Sequence, residues 1–123
     1  MSTEAPALIE RAINDFLEEV PALAPLKGVF QVDLQGRGDL QQFRVEMPGA
    51  KVTKGADPQA KITVAMRRDF FNAMVENGAK MADWEEAFRY GQAKATGVDQ
   101  YIKLIANVAE KAQERQRLKR ARH

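Results

Sequence analysis

From Phe30 to Leu34, and again from Phe43 to Met47, every second residue is apolar. Gln31, Asp33 and Gln35 interleave the first run, and Arg44 and Glu46 the second. Successive side chains of a strand point to opposite faces, so a period of two predicts strands with one buried and one wet face. Between them, Gly36-Arg37-Gly38-Asp39 predicts a hairpin turn whose glycines take positive φ. Pro48-Gly49 and Gly55 to Pro58 mark two further turns. They bracket a short strand at 50–54 and a longer one at 60–66, with Ile62, Val64 and Met66 on one face.

On either side of these strands the period is helical. Ile9, Ile13, Phe16, Leu17 and Val20 recur at the spacing of one helix face, predicting a helix over 3–20. Thr3 can cap it, with Glu4 in the first turn and Pro6 near the start. Pro21 and Pro25 end it and predict an extended linker. Phe70, Phe71, Met74 and Val75 predict a helix over 67–78, with Asp69 as cap and Gly78 as stop. A short helix follows at 80–89 around Trp84, Ala87 and Phe88, then a strand at 92–96. From Val98 a last helix carries Tyr101, Ile102, Ile105, Val108, Ala109 and Ala112 into a basic end. Strands in a run beside segregated helices define an α+β layer arrangement.

The residue inventory bears on chemistry. There is no cysteine, which excludes disulfides, thiol nucleophiles and thiolate metal sites. The sole serine is Ser2 and the sole histidine His123, so no Ser–His pair is expected. Glu18-Glu19 and Glu85-Glu86 are neighbours in sequence and do not face each other on a helix. No enzymatic activity, cofactor or metal is expected. The first residues lack a basic segment followed by an apolar run, and no stretch is long enough to span a bilayer, so a cytoplasmic protein is expected. With 123 residues the chain is expected to form one domain.

Several short motifs fall in a familiar order. Ile62-Thr63 is followed by Phe70 or Phe71 and by Gly78. Then come Ala87-Phe88-Arg89-Tyr90-Gly91-Gln92-Ala93-Lys94-Ala95-Thr96-Gly97 and the helix from Tyr101 to Val108. This pattern resembles the sterol carrier protein 2 family across roughly residues 5–115. The resemblance implies a five-stranded, mostly antiparallel sheet covered on one side by helices and enclosing an apolar cavity. It implies one lipid-binding domain over 1–123, with a basic helical tail at 111–123, and binding or transfer of a fatty acid, fatty acyl group or sterol. The alternative is an accessory domain presenting a lipid intermediate or a partner protein to a biosynthetic enzyme. The terminal Arg-Ala-Arg-His is not a peroxisomal address, which suggests a stand-alone bacterial or archaeal member. Ala93 and Ala95 are small for the fifth strand and leave either a roomy pocket or one filled by Trp84 or Tyr90.

The expected floor of the cavity is Phe30, Val32, Leu34, Phe43 and Val45. The expected walls and lid carry Phe70, Met74, Met81, Trp84, Phe88, Ile102 and Ile105, with the last helix loosening at Gly97 for exchange. Flexible thioethers and aromatics suit a wall that must fit irregular apolar ligands. Residues 110–123 hold six basic residues against two acids, while the net charge is only +2. Arg115, Arg117, Lys119, Arg120 and Arg122 are therefore candidates for transient contact with an anionic membrane. No nucleic-acid partner is expected, because the tail has no aromatics and the body is not basic. A homodimer or a protein partner stays open.

Overall fold

The computed structural model describes residues 5–121. The proposed cap at Thr3, Glu4, Arg122 and His123 lie outside the described residues, as do the side chains of Lys119 and Arg120. The order is α1 (Ala5–Glu19), β1 (Gly28–Gln35), β2 (Leu40–Met47), β3 (Lys51–Lys54), β4 (Ile62–Arg67), α2 (Arg68–Glu76), α3 (Met81–Arg89), β5 (Ala93–Gly97) and α4 (Asp99–Ala121). This is the predicted succession, and it forms one five-stranded sheet ordered β3-β2-β1-β4-β5. All its strand pairs are antiparallel except β1–β4.

The parallel pair depends on the path of the chain between β3 and β4. β3 lies at one edge of the sheet, so the chain must cross two strands before β4 can pair with β1. The crossing segment runs over the polar face and is fastened there. The Arg44 guanidinium donates to Asp57 at 2.8 Å, and the Asp57 amide donates to the Gln31 side-chain oxygen at 3.1 Å. The Lys61 amide then donates to the Val29 carbonyl at 2.8 Å and sets the β1–β4 register.

That clasp titrates. The hydrogen bond from Arg44, and then the one from the Gln59 amide, hold the Asp57 carboxyl below its ordinary value of 3.8. A depressed carboxylate contributes stability above its unfolded pKa and loses it as pH falls through the folded one. Asp57→Asn should therefore be less stable than the parent at neutral pH, and the gap should close below about pH 4. Urea midpoints across pH 3 to 7 measure this. A gap independent of pH would mean that the charge does not act.

Register places Phe30, Val32 and Leu34 beside Val45 and Phe43 on one side and beside Ile62, Val64 and Met66 on the other. This is the inner face, and the helices pack on it. Two segments differ from expectation. Pro21–Leu23 form a 3-10 turn rather than an extended linker, because proline is tolerated at the first helical position. The turn buries Leu23 with Val20, Met81 and Ala109. Asp69 lies inside α2 rather than at its cap; Arg67 holds the cap position, and the Asp69 carboxylate accepts its neighbour Phe70's amide.

The hairpin turn also differs in part. Gly38 takes the expected positive φ of 82°, but Gly36 does not. A Cβ on Gly36 would collide with the Asp39 carboxylate and the Arg68 guanidinium, which pair over it. The need there is for space, not for backbone freedom.

Candidate apolar cavity

The buried apolar residues form two groups. The larger joins Leu8 and Ile9 of α1 to Leu34, Phe43, Val45 and Met66 of the sheet and to Phe71, Val75 and Ala87 of the helices. The smaller is Val20, Leu23, Met81 and Ala109. The two groups do not merge. A cavity lies where they would meet, under the C-terminal half of α1.

It comprises two neighbouring recesses that open to solvent and share part of their lining. The first, about 220 Å³, is lined by Leu23 and Leu26, by Phe30, Met47 and Ile62 toward one end of the sheet, and by Ile105 of α4. The second, about 200 Å³, is lined by Ile9 and Ala12, by Met66 and Phe71, and by Trp84 and Phe88. Ile13, Phe16, Val32 and Val64 line both. Gln31 is the one polar residue in either lining, and its side chain is committed to Asp33 and Asp57 on the opposite face.

Three residues of the lining are under-packed for their position. Phe30, Val32 and Val64 lie on the inner face yet are only half-buried, whereas Leu34 and Phe43 on the same face, and Val45 within the lining itself, are buried. Apolar side chains normally fill such a face to crystal-like density. Here the space above the middle of β1 and β4 is left open. The cover is anchored at one point by a side-chain hydrogen bond. The Glu19 carboxylate, at the end of α1, accepts the Met81 amide at 2.7 Å and satisfies a free donor at the start of α3.

The expected site residues divide. Phe30, Val32, Val45, Ile105, Trp84 and Phe88 line the chambers. Leu34 and Phe43 are packed into the larger core below. Phe70 and Met74 line a separate recess with Ala73 and Asn77. Met81 belongs to the smaller core and borders an open, charged recess with Glu19, Lys80 and Arg117. Ile102 is half-buried and lines neither chamber. Trp84 stays at the wall, its ring 6.1 Å from that of Phe71, and Tyr90 points away at 69 % exposure. Neither fills the space. Arg115 and Arg117 are exposed on α4.

The largest share of the lining that sequence reasoning missed comes from α1: Ile9, Ala12, Ile13, Phe16 and Leu17. Its stripe was visible, but a stripe does not reveal whether the surface facing it is filled.

This sheet order, with helices over a single face and an apolar space beneath, is the architecture of sterol carrier proteins, and solved structures agree. The crystal structure of sterol carrier protein 2 like 2 from Aedes aegypti matches with TM-score 0.54 at 21 % identity, over 83 % of this chain and 97 % of that one. Sterol carrier protein 2 from the same mosquito, in complex with the C16 fatty acid palmitate, matches with TM-score 0.54 at 18 % identity, over 89 % and 96 %. The apo form from Yarrowia lipolytica matches with TM-score 0.52 at 21 % identity, over 75 % and 82 %. No protein-family model matches the sequence, and no curated protein does. The chain has the sterol carrier protein 2 fold.

Proposed function

We propose that the chain binds a fatty acid or another lipid with an acyl chain in this cavity and carries it without chemical change. The observation that carries the reading is the half-buried lining of Phe30, Val32 and Val64 between two closed cores. The Aedes aegypti relative solved with palmitate supports it. Burial of each methylene contributes about 0.8 kcal/mol, so a long chain reaches useful affinity without any polar contact. The chamber linings hold no acid, base or nucleophile. What they offer is an apolar surface. The accessory-domain alternative calls for a filled core, and the open space favours a carrier.

Native mass spectrometry of protein purified without lipid stripping tests the reading directly. Palmitate titration of delipidated protein gives the affinity. Val32→Phe adds bulk at a residue that lines both recesses, and should weaken palmitate binding at least about tenfold while leaving the unfolding temperature unchanged or raised. Unchanged affinity in this variant would place the ligand elsewhere.

The basic end of α4 is proposed as the contact with an anionic bilayer during loading. Lys111, Arg115 and Arg117 are exposed there, and Leu118 is 63 % exposed among them. An apolar side chain among cations suits the headgroup boundary. Among the described residues no helix is long and apolar enough to cross a membrane. Each of Lys111→Gln and Arg115→Gln should weaken binding to phosphatidylserine vesicles about fivefold at low salt. Added salt should have the same effect. Vesicle sedimentation that ignores both changes would exclude the tail.

A further inference from the structure

The segment 21–27, between α1 and β1, carries apolar surface that the core does not take up. Only Leu23 in it is buried; Pro21, Ala22, Ala24 and Pro25 are exposed, and Leu26 is half-buried. Surface connections are ordinarily polar. The two leucines line the first recess, so this loop is a cover with apolar residues on both of its sides. α4 covers the same recess through Ile105. The two covers share the smaller core, where Leu23 joins Ala109. Neither Leu26 nor Ile105 is buried.

The outer surface of α4 is sorted by charge. Leu104, next to Ile105, is 48 % exposed. It shares one helix face with Lys111, Arg115 and Leu118, at i, i+7, i+11 and i+14. The acids of α4, Asp99, Glu110 and Glu114, are exposed, and the helical period puts them on the far side from that face. Lys27 ends the loop with an exposed cation. Apolar side chains set among cations fit the headgroup boundary of an anionic bilayer, which is also where an acyl chain is drawn from.

Resting on the lipid-carrier reading above, we propose that residues 21–27 and the Leu104 face of α4 form the surface by which the chain docks on an anionic bilayer, and that the acyl chain passes between Leu26 and Ile105 into the first recess. The cations of α4 hold the bilayer. The loop enters its boundary and brings the opening to the lipid.

The chain has no cysteine, so a single introduced one carries a fluorophore to a chosen place. Ala24→Cys and Leu104→Cys, labelled with nitrobenzoxadiazole, are mixed with vesicles of equal parts phosphatidylcholine and phosphatidylserine. Ala7→Cys, exposed near the other end of α1, is the control. The labels on Ala24→Cys and Leu104→Cys should brighten and shift to the blue as they leave water, and the control should not. Ala24→Asp and Leu104→Asp should each slow delivery of a bound fluorescent palmitate analogue to these vesicles about fivefold, and Ala7→Asp should not. Palmitate affinity without vesicles should be unchanged in all three. Labels that stay in water while the protein sediments with the vesicles would overturn the proposal and leave the carrier reading standing. Equal slowing by Ala7→Asp would do the same, since only net charge would then act. A parent that binds no palmitate would overturn the carrier reading, and this proposal with it.

Discussion

Replacing Gly97 by alanine is expected to lower the unfolding free energy by about 3 kcal/mol, through both backbone strain and steric collision. Gly97 ends β5 opposite Ile62 with φ at 135°, a conformation L side chains rarely adopt. A Cβ there would press on the Lys61 carbonyl oxygen and would lie 2.9 Å from the Ile62 Cα. Both are backbone atoms of the neighbouring strand, held by the Val98 amide, which donates to that Lys61 carbonyl at 2.8 Å. Nothing in this contact is the free end of a side chain, so relief requires moving β4 or the start of α4. The unfolding temperature should fall by roughly 10 °C. Gly38→Ala is the comparison: its φ is also positive, at 82°, but open space surrounds it. It should cost only about 1–2 kcal/mol, the strain of a left-handed residue alone. Equal losses in the two variants would show that the close approach at Gly97 contributes nothing.

The same residue illustrates what the sequence makes legible. Gly97 belongs to the motif that carries the family resemblance, and the sequence marks it as a point where α4 begins. The reason for glycine, a carbonyl from a strand far away in sequence, becomes visible only in the sheet. The hairpin behaves alike. The alternation of Phe30, Val32 and Leu34 sets which face is buried, because period and face are properties of a single strand. The neighbour of β1 on its other side is not such a property. The parallel pairing with β4 depends on the path of residues 55–61, fixed by Arg44, Asp57 and Gln31 from separate segments. No local pattern encodes that meeting.

Site legibility divides on the same principle. Periodicity assigns Phe30, Val32, Leu34, Phe43 and Val45 to one sheet face, and all five lie on it. It cannot say which of them meets another side chain and which meets open space. That depends on where α1 crosses the sheet and how far its stripe reaches. Met81 shows the limit from the helix side: its apolar neighbours in sequence line a chamber, while it belongs to the smaller core.

Leu34→Ala separates core from cavity wall, and is expected to cost about 3 kcal/mol of stability. Leu34 has no exposed surface and sits between Met66 and Gln41 in the sheet register. Truncation removes its burial free energy and leaves a void that crystal-like packing cannot close. Val32 is two residues earlier on the same face, but half-buried against the chambers. Val32→Ala enlarges a space already present, so part of the penalty for a new void is absent. Its expected cost is about 1 kcal/mol, though it changes the walls that any ligand would touch. Denaturant unfolding of the two apo variants measures the contrast. A Val32→Ala loss as large as that of Leu34→Ala would mean that the space beside Val32 is closed in solution, with α1 collapsed onto the sheet. With palmitate bound, the contrast should narrow. A chain occupying the cavity restores neighbours to Val32, and a ligand at a hundred times its dissociation constant stabilises the parent by about 2.7 kcal/mol. Val32→Ala should lose part of that gain, and Leu34→Ala, farther along the same face and outside the lining, should keep it.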